Sequence, residues 1–327
     1  MKLGFAVKVL GTGGLPSHDA RRHGSEPHLR VSLEYLRAIF SYLEDAGIDM
    51  YRFSPNLAPY ATHPDMPRFR GQVEECAEEL AELGAAARRQ GLRLSCHPSQ
   101  YIVLNSEDER VRRSAVADLE LQASIFDAMG LPPESVVILH VGGYTGGLAA
   151  AMDRFLEGFE LLSDRARGRL ALENDDRTFN ARDVASLARR AGVPMIWDVL
   201  HHHCNDPHGT PDREALETAL ATWPAGVRPK IHYSSPKTAV GKKTRRRGRR
   251  VERSLVLPQL RAHADLVDPI AFEHFVCETA RGLDFDVMLE AKAKDLALLR
   301  LREQLAARGV ELDSVLRTGS LPARAPA

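Results

Sequence analysis

Residues 92–101 read LRLSCHPSQY. The residues before His97 alternate between apolar and polar types in the manner of a β-strand, and Pro98 stops that strand because proline lacks the N–H group that a sheet needs. His97 is therefore predicted to lie on rigid backbone at the carboxyl end of a strand, just before a short loop that carries Gln100 and Tyr101. A hydrophobic strand that ends in a potential metal ligand recurs along the chain, and this recurrence predicts both the fold and the function.

Eight short apolar or alternating segments are predicted to form β-strands, and longer segments of helical periodicity separate them. The predicted strands are Leu3–Val7, Met50–Phe53, Arg93–His97, Val136–Val141, Leu170–Asn174, Met195–Asp198, Lys230–Ser234 and Asp286–Glu290. The predicted helices are Leu29–Ala46, Val73–Arg89, Glu109–Met129, Leu148–Arg165, Ala181–Ala191, Arg213–Thr222, Pro269–Arg281 and Ala293–Arg308. Strand and helix alternate without a linker over most of the chain, which favours an α/β protein, a single (β/α)8 TIM barrel.

An open, doubly wound sheet is the alternative architecture, because the order of the strands cannot be read from one sequence. We expect one barrel domain at residues 1–310. Residues 311–327 have a Pro- and Ala-rich end and are predicted to form a frayed tail. Residues 11–16 read GTGGLP and resemble a phosphate-binding loop, but Pro16 stands at the third glycine position of the GxGxxG pattern, and we discount the match.

The overall charge of the chain excludes little. Lysine plus arginine and aspartate plus glutamate each number 44 in 327 residues, so any basic surface must be local. The sequence has no apolar run approaching ~18 residues and no long apolar region at its start, so we expect a cytoplasmic protein without a membrane span. The four cysteines form no CxxC pair and are expected to be free thiols.

The carboxyl ends of six predicted strands carry side chains that bind metal ions or phosphate. In a β/α barrel these ends surround one mouth, where active sites lie. Mixed sets of imidazoles and carboxylates suit Mn²⁺, Zn²⁺ or Fe²⁺, and several ions close together favour hydrolysis of a phosphate ester. The residues are His97, His140, Glu173, Asp198, His201, Lys230, His232 and Glu290.

Each of these residues, taken singly, has a simpler structural explanation. A histidine at the end of one strand is usually hydrogen-bonded to a neighbour, and Glu173 could pair with an arginine. Six strand ends of this kind are hard to obtain by chance, which favours a shared site. In the HHHC segment at residues 201–204, only His201 stands in an Asp-x-x-His relation to Asp198. The other three are predicted to lie in a loop or to support the ligands.

Lys230 does not suit a metal cluster as an ordinary ammonium group, because placing a cation among metal ions costs free energy. We hypothesise that Lys230 is neutral or carbamylated and bridges metal ions. Its simpler role is to steer a phosphate by its charge. An intact mass equal to the sequence mass under native conditions would contradict a modification.

Seven ordered motifs, between about Leu33 and Lys294, resemble those of the UV damage endonuclease family, which is related to xylose-isomerase-like barrels and to apurinic-site endonucleases. The motifs are HPSQY at 97–101, LHVGG at 139–143, ALENDDR at 171–177, WDVLHH at 197–202, KIHYSSP at 230–236, AHADLVDP at 262–269 and DVMLEAKAKD at 286–295. The resemblance implies a TIM barrel that holds divalent ions, about two or three Mn²⁺ with Zn²⁺ or Mg²⁺ as the other candidates. It also implies incision of double-stranded DNA immediately 5′ to a photolesion, leaving 3′-hydroxyl and 5′-phosphate ends.

The resemblance also implies roles for individual residues. The metal ligands would be His97, His140, Glu173, Asp198, His201, His232, His263 and Glu290. Among these, His263 is nominated by the resemblance alone. Glu173, Lys230 and Glu290 would take part in catalysis, and the two glutamates would bridge metal ions.

Gln100 and Tyr101 would, by the same resemblance, form a probe that enters the duplex where the damaged dinucleotide leaves the stack. A phenol ring replaces lost base stacking, and an amide contacts exposed base edges. Alternatively, Tyr101 packs on the barrel rim. Phe5 and Val9 stand where many members carry Tyr and Asn, so lesion contacts near the first strand are expected to differ from the family pattern.

Residues 242–250 read KKTRRRGRR, in which seven of the nine residues are basic. This loop is longer and more basic than the family pattern, and its cations are expected to follow a DNA backbone without sequence choice. The alternative is a solvated, disordered loop. The candidate DNA-binding residues in it are Lys242, Lys243, Arg245, Arg246 and Arg247.

The sequence therefore predicts a metal-dependent DNA repair endonuclease that binds duplex DNA carrying photolesions. It is expected to use no organic cofactor, to act as a monomer and to associate with the nucleoid when bound to DNA. One alternative is a sugar isomerase or epimerase on the same barrel, and another is a non-catalytic damaged-DNA-binding protein. The Gln100–Tyr101 probe and the basic loop disfavour a small, closed sugar pocket, and the complete ligand set disfavours loss of catalysis.

Overall fold

The eight segments predicted to be strands are all strands in the computed structural model, which describes residues 1–248, 250–310 and 312. They are β1 (Leu3–Ala6), β2 (Met50–Phe53), β3 (Arg93–Cys96), β4 (Val137–His140), β5 (Leu170–Glu173), β6 (Met195–Ile196), β7 (Lys230–Tyr233) and β10 (Asp286–Leu289). Two further strands, β8 (Gly241–Arg247) and β9 (Arg250–Val256), form an antiparallel hairpin between β7 and β10.

The eight strands form one parallel sheet in the order β6, β5, β4, β3, β2, β1, β10, β7. A parallel bridge between Asp198, just after β6, and His232 in β7 joins the two ends of this sheet. The main-chain N–H of His232 donates to the carbonyl oxygen of Trp197 at 3.0 Å across the same seam. The protein is therefore a single (β/α)8 TIM barrel, as predicted, and the open doubly wound alternative is wrong.

Helices connect the strands and pack around the barrel. In order they are α1 (Leu29–Asp45), α2 (Gln72–Glu75), α3 (Ala77–Arg89), α4 (Glu109–Ala128), α5 (Leu148–Phe159), α6 (Asp164–Arg167), α7 (Ala181–Ala191), α8 (Val199–Cys204), α9 (Asp212–Leu220), α10 (Pro269–His274) and α11 (Lys294–Ala307). The sequence sets α7 most clearly. Asn180 and Asp183 form a capping box at its start, and Gly192, with φ +68°, ends it.

Three predicted helices differ in detail from the observed ones. The helix predicted at Val73–Arg89 is interrupted at Cys76, which has φ −112° and ψ 22°. The helix predicted at Leu148–Arg165 ends at Phe159, and a separate helix, α6, starts where the Ser163 side chain accepts the N–H of Ala166 at 3.2 Å. The helix predicted at Pro269–Arg281 continues from α10 as a π-helical turn at Phe275–Thr279.

Strand alternation decides which side chains enter the barrel. On β4, Val137 and Leu139 join the large core between the strands and the helices. Ile138, on the other face of β4, packs with Ala171 and Ile196 in a separate cluster. Two residues further on, on that inner face, come His140, Glu173 and Asp198. The same alternation that builds the core therefore points these three side chains to the inside of the mouth.

A buried ion pair lies at the opposite, amino-terminal end of the barrel. Arg93 Nη1 donates to Asp286 Oδ2 at 2.8 Å, and the two side chains are 4% and 1% exposed. Asp286 Oδ1 also accepts from Arg228 Nε at 2.9 Å and from the main-chain N–H of Lys2 at 2.8 Å. This carboxylate therefore ties together the starts of β1, β3 and β10.

Asp286→Ala is expected to lower the free energy of unfolding by about 3–5 kcal/mol, because it leaves the Arg93 guanidinium buried and unpaired. Denaturant unfolding measures this loss. Asp284→Ala is the matched control, because Asp284 pairs with Arg228 at 2.6 Å but is 70% exposed. A change within about 1 kcal/mol is expected for that variant. Equal losses in the two variants would contradict a structural role for the buried pair.

Three further predictions concern membrane spans, the end of the domain and the cysteines. No helix in the described residues is long and apolar enough to cross a membrane. The predicted tail at 311–327 lies outside the described residues except for residue 312, so the domain end at residue 310 stays a prediction. Cys76, Cys96, Cys204 and Cys277 are free thiols, as expected.

Candidate metal centre

Five histidines and three carboxylates lie together at the carboxyl end of the barrel. Each is within 3.8 Å of at least one other member. Together they are called the His/carboxylate cluster, whose residues are His97, His140, Glu173, Asp198, His201, His232, His263 and Glu290. All eight residues predicted to be metal ligands are therefore neighbours in the structure.

Glu173, the last residue of β5, is the centre of the cluster and is 1% exposed. Its Oε2 lies 2.9 Å from His97 Nε2 and 3.7 Å from His140 Nε2. Its Oε1 lies 2.8 Å from His232 Nδ1 and 3.6 Å from His201 Nδ1. One carboxylate thus contacts four of the five imidazoles and links the β3–β4 side of the mouth to the β6–β7 side.

Asp198 is positioned by its own helix and by Asn174. Its Oδ1 accepts the N–H of His201 at 2.7 Å, so the Asp-x-x-His spacing is an N-terminal cap of α8. Asn174 Oδ1 accepts the N–H of Asp198 at 2.9 Å, and Asn174 Nδ2 donates to the carbonyl of Asp198 at 3.0 Å. His201 Nδ1 lies 3.0 Å from the carbonyl oxygen of Asn174. These contacts fix Asp198 and His201 relative to the end of β5.

Glu290 anchors the other side of the cluster, directly after β10. It forms an ion pair with Arg52, whose side chain enters the barrel from β2. Its Oε1 lies 3.3 Å from His232 Nδ1, and its Oε2 lies 3.8 Å from His263 Nε2. An antiparallel bridge between Pro236 and His263 brings the latter back to the mouth.

Burial and mutual charge set the protonation of the cluster. Burial alone would raise the pKa of Glu173, but His232 and His140 outweigh it and hold that pKa well below its usual value. Burial raises the pKa of Asp198 to about 6. For His201, burial acts to lower the pKa, but Asp198, Glu173 and Glu290 together raise it to about 9. These shifts keep the Glu173 carboxylate ionised and the His201 ring protonated near neutral pH.

The donor atoms fit divalent cations. Among the described residues, four buried atoms of the cluster have no hydrogen-bond partner: His140 Nδ1, Asp198 Oδ2, His232 Nε2 and His263 Nδ1. Unpaired buried polar atoms are costly unless something else binds them. Two groups offer ligand atoms that all lie within 4.8 Å of one another, namely His97, His140 and Glu173, and then Glu173, Asp198, His232 and Glu290. Glu173 belongs to both groups, so its carboxylate lies between them.

Lys230 lies inside the barrel but outside the contacts of the cluster. It is fully buried on β7, and its Nζ has no hydrogen-bond partner among the described residues. Burial, with Arg93 and Arg52 nearby, holds the pKa of Lys230 well below its usual value. A neutral amine is the form that the carbamylation hypothesis requires, and the modification itself stays a prediction.

His202, His203 and Cys204 belong to α8, so a loop was the wrong prediction for them. The alternative, that they support the ligands, stays a prediction. His202 Nε2 lies 3.0 Å from the carbonyl oxygen of Thr210, and His203 Nε2 lies 2.9 Å from Asp212 Oδ2. These two rings therefore hold α8 against the first residue of α9 and the segment just before it.

The candidate DNA-contacting residues lie on two segments that leave the same mouth. Gln100 and Tyr101 follow β3, and Tyr101 is 77% exposed, so the alternative in which it packs on the barrel rim is wrong. The basic segment is not an irregular loop but the hairpin β8–β9. Its candidate residues Lys242, Lys243, Arg245, Arg246 and Arg247 all lie on β8.

Sequence reasoning missed two residues that shape the site. Arg52 pairs with Glu290, and Asn174 holds Asp198. The signal for Arg52 was present, because a charged residue within the short buried strand MYRF needs a partner inside the barrel. Asn174 was visible only as the neighbour of Glu173, since its role depends on a contact across 24 residues of chain.

Comparisons with known proteins agree on one family. The model of the family UV-endonuclease UvdE matches residues 22–317. A protein of Bacillus velezensis named UV DNA damage endonuclease is 35% identical over 274 residues, which cover 83% of this chain and 79% of that protein. A second protein of this name, from Bacillus pumilus, is 33% identical over 294 residues, with 88% and 85% covered.

Solved structures agree with this result. The crystal structure of SacUVDE aligns with a TM-score of 0.78 and 28% identity, covering 94% of this chain and 99% of that one. A D-tagatose 3-epimerase-like protein aligns with a TM-score of 0.56 at 12% identity, with 97% and 98% covered. At that identity the second likeness concerns the barrel fold alone.

Proposed function

The chain belongs to the UV-endonuclease UvdE family, a family of DNA repair endonucleases, and we propose that it cuts the DNA backbone immediately 5′ to UV photolesions in a reaction that depends on divalent metal ions. The cut leaves 3′-hydroxyl and 5′-phosphate ends. The observation that supports this proposal most is the His/carboxylate cluster, in which potential ligands from six strand ends meet His201 of α8 and His263 at the mouth of one barrel. We further propose that the protein acts as a monomer without an organic cofactor.

We propose that the eight residues of the cluster hold about two or three divalent ions, with Glu173 and Glu290 as bridging ligands. Five imidazoles with three carboxylates suit Mn²⁺ or Zn²⁺ better than Mg²⁺, which prefers oxygen ligands. Such ions, when bound, supply Lewis acidity that neutralises charge on the scissile phosphate and eases attack by water.

The residues of the chain itself orient the donor atoms. His97 Nδ1 donates to the carbonyl oxygen of Pro98 at 2.9 Å, so Nε2, which lies 2.9 Å from Glu173 Oε2, is the atom that would bind an ion. His201 Nδ1 has the same relation to Asn174, so its Nε2 is the atom that would bind an ion, after release of the proton that its raised pKa retains. Arg52 fixes the carboxylate of Glu290 and balances part of the negative charge in the barrel. The ligands are thus held in place before substrate arrives.

Gln100 and Tyr101 are proposed to act as the probe for damaged DNA. They stand three and four residues after His97, on the loop that leaves the same strand end. An exposed phenol ring at this place can occupy the gap that a distorted dinucleotide leaves in the base stack. Recognition of damage and the reaction centre are therefore linked through one short segment of chain.

Tyr101→Ala is expected to weaken binding to UV-irradiated duplex by about 5- to 150-fold, which corresponds to the 1–3 kcal/mol of one base–aromatic stack. Binding to undamaged duplex is expected to change little. Affinities measured in EDTA, with irradiated and unirradiated oligonucleotides, test this without cleavage. Tyr101→Phe is the matched control, because it keeps the ring and should retain most of the affinity. A loss of the same size for both DNAs would contradict the probe.

The function itself is tested by nicking of UV-irradiated supercoiled plasmid with Mn²⁺, beside unirradiated plasmid. Cutting of the irradiated plasmid alone is expected. The cut site is then located on an end-labelled duplex with one pyrimidine dimer, where a single break directly 5′ to the dimer is expected. End-group analysis with a phosphatase and a ligase checks the 3′-hydroxyl and 5′-phosphate termini.

The same assay separates the alternatives. A sugar isomerase or epimerase would bind metal but leave both plasmids intact. A damaged-DNA-binding protein without catalysis would retain irradiated DNA and not cut it. Cutting of unirradiated plasmid at the same rate would contradict damage specificity, and no cutting by a metal-loaded protein would remove the endonuclease proposal for this class of lesion.

A further inference from the structure

The hairpin β8–β9 is an arm that stands out from the mouth of the barrel. Residues 242–246 and 250–257 are all exposed, so neither face of this two-stranded ribbon packs against the barrel. Gly248, with φ +59°, lies in the turn that connects the strands. A two-stranded hairpin by itself is only marginally stable in water. An arm of this kind is therefore expected to gain stability from a partner.

The base of the arm is fixed beside the His/carboxylate cluster. Pro236 and His263 form an antiparallel bridge there, and the N–H of Lys237 donates to the carbonyl oxygen of Ala262 at 2.7 Å. His263 in turn lies 3.8 Å from Glu290. The chain thus leaves and returns at the edge of the cluster, and a polymer bound at the cluster passes next to the arm.

The register of the hairpin sorts its side chains into two faces, because directly opposed residues share a face. The mixed face carries Lys242, Thr244, Arg246, Val251, Arg253 and Leu255. The face that contains Glu252 also carries, among the described side chains, Lys243, Arg245, Arg250, Ser254 and Val256. The mixed face has three cations and no carboxylate, whereas on the other face Glu252 lies 3.9 Å from Arg250.

We propose that this arm binds the duplex beyond the incision site by lying in the major groove, with its mixed face toward the DNA. A two-stranded ribbon fits a groove that is about 12 Å wide. The cations of the mixed face reach the phosphates that line the groove. Val251 and Leu255, which are 47% and 73% exposed, contact thymine methyl groups on its floor. The opposite face turns outward, because phosphates repel the Glu252 carboxylate.

The length of the arm sets how far from the cut it acts. Each strand has seven residues, and at about 3.4 Å per residue the ribbon extends about 24 Å. That distance covers about seven base pairs of B-DNA. The inference rests on the proposed function only in taking duplex DNA as the substrate. It adds a second contact region, on one side of the lesion and independent of the probe.

Two triple variants test the arm, and each removes three positive charges from one face. They are K242Q/R246Q/R253Q on the mixed face and K243Q/R245Q/R250Q on the other. Dissociation constants are measured against salt concentration with undamaged duplex in EDTA, where no cutting occurs. Loss of three phosphate contacts lowers the slope of log K against log salt by about 2.7. That decrease in slope is expected for the mixed-face variant. A decrease of less than about 1 is expected for the K243Q/R245Q/R250Q variant.

A second measurement uses duplexes in which one side of a dimer is shortened to about three base pairs, too short to fill the reach of the arm. The parent protein and the mixed-face variant are expected to show the same salt slope when the duplex is shortened on the side of the dimer where the arm binds. Their slopes are expected to remain different when the other side is shortened. Equal decreases in slope for the two triple variants would contradict the proposal that the mixed face is the one that lies in the groove. Unchanged slopes in both would overturn the contact between the arm and DNA.

These outcomes are distinguishable from failure of the proposed function. A parent protein that does not nick but binds duplex through the mixed face would refute the endonuclease and leave the arm. If the parent protein nicks beside dimers while both triple variants keep the parental salt slope, the endonuclease proposal stands and the proposal for the arm is refuted. Because every substituted residue is exposed, thermal unfolding of each variant should match that of the parent.

Discussion

Glu173→Gln is expected to abolish nicking of irradiated DNA, with a loss on the order of 10³-fold or more. Metal ions at such sites contribute several kcal/mol of charge stabilisation, and each 1.36 kcal/mol is a factor of ten in rate. Glu173 belongs to both groups of potential ligands and contacts four of the five imidazoles. Glutamine keeps the shape of the side chain but removes the charge that both groups share.

Two readouts test this expectation. Initial rates of plasmid nicking in Mn²⁺ measure activity, and elemental analysis after gel filtration measures bound metal. Both are expected to fall in Glu173→Gln. Glu303→Gln is the control, since it removes one carboxylate from the outer helix α11, where Glu303 pairs with Arg300 and is 68% exposed. That variant should keep the rate and the metal content of the parent.

The result also depends on the variant remaining folded. Thermal unfolding in the absence of metal checks this point, because both proteins then lack the contribution of the ions. A folded Glu173→Gln that nicks at the parental rate would contradict a central role for this carboxylate. Full nicking with a reduced metal content would show that one ion is dispensable and that Glu173 does not bridge the ion that matters.

Most of the fold could be predicted from the sequence, because each strand is a short apolar or alternating segment, and six of the eight lead into a polar side chain at the carboxyl end. The predicted and observed strands differ by at most two residues at either end, and Met50–Phe53 is the same in both. The carboxyl ends were predictable since proline after His97 and the polar residues at 173 and 290 mark where the buried segment stops. Once the barrel is assumed, seven of the eight cluster residues follow from these ends.

His263 and Arg52 show where that reasoning stops. His263 reaches the cluster through a bridge to Pro236, across 26 intervening residues that include the hairpin, and local periodicity carries no information about such a return. It was predicted through the family resemblance alone. Arg52 lies within a strand rather than at its end, so a search of strand ends passed over it, although its ion pair with Glu290 is integral to the mouth.

The hairpin was predicted as a loop for a related reason. Strands are recognised by alternation of apolar and polar residues, and β8 has lysine, arginine or threonine at every position after Gly241. With both faces exposed, no hydrophobic pattern is required of it. The residues near the first strand are buried instead. Phe5 and Val9 are at most 1% exposed and belong to the core. At these two positions the chain offers DNA neither a hydroxyl nor an amide.

Removal of metal is expected to abolish nicking, and return of Mn²⁺ is expected to restore it. Glu173 and Asp198 are buried and Glu290 is largely so, and the cations beside them within the chain are Arg52 and the protonated ring of His201. These groups stabilise the folded cluster but cannot activate water at a phosphate. Dialysis against EDTA, followed by addition of one ion at a time, measures the dependence. Undiminished nicking by a protein shown by elemental analysis to be metal-free would contradict it.

The order in which ions restore activity follows from the donor set. Imidazole nitrogens outnumber carboxylates five to three in the cluster, and Mg²⁺ binds nitrogen poorly and keeps much of its water. Mn²⁺ is therefore expected to restore nicking at lower concentration than Mg²⁺. The reverse order would argue that the histidines support the carboxylates by hydrogen bonds and that oxygen atoms alone hold the ions.

Metal should also stabilise the fold, since it binds the native cluster and not the unfolded chain. When the concentration of free ion is one hundred times the dissociation constant of a single site, binding adds about 2.7 kcal/mol to the free energy of unfolding. The melting temperature is therefore expected to rise with Mn²⁺ concentration in the parent and in Glu303→Gln, and to rise much less in Glu173→Gln. This readout needs no DNA. It separates loss of metal binding from loss of catalysis, because a variant that keeps the thermal shift but loses nicking has lost a residue that acts on the substrate and not on the ions.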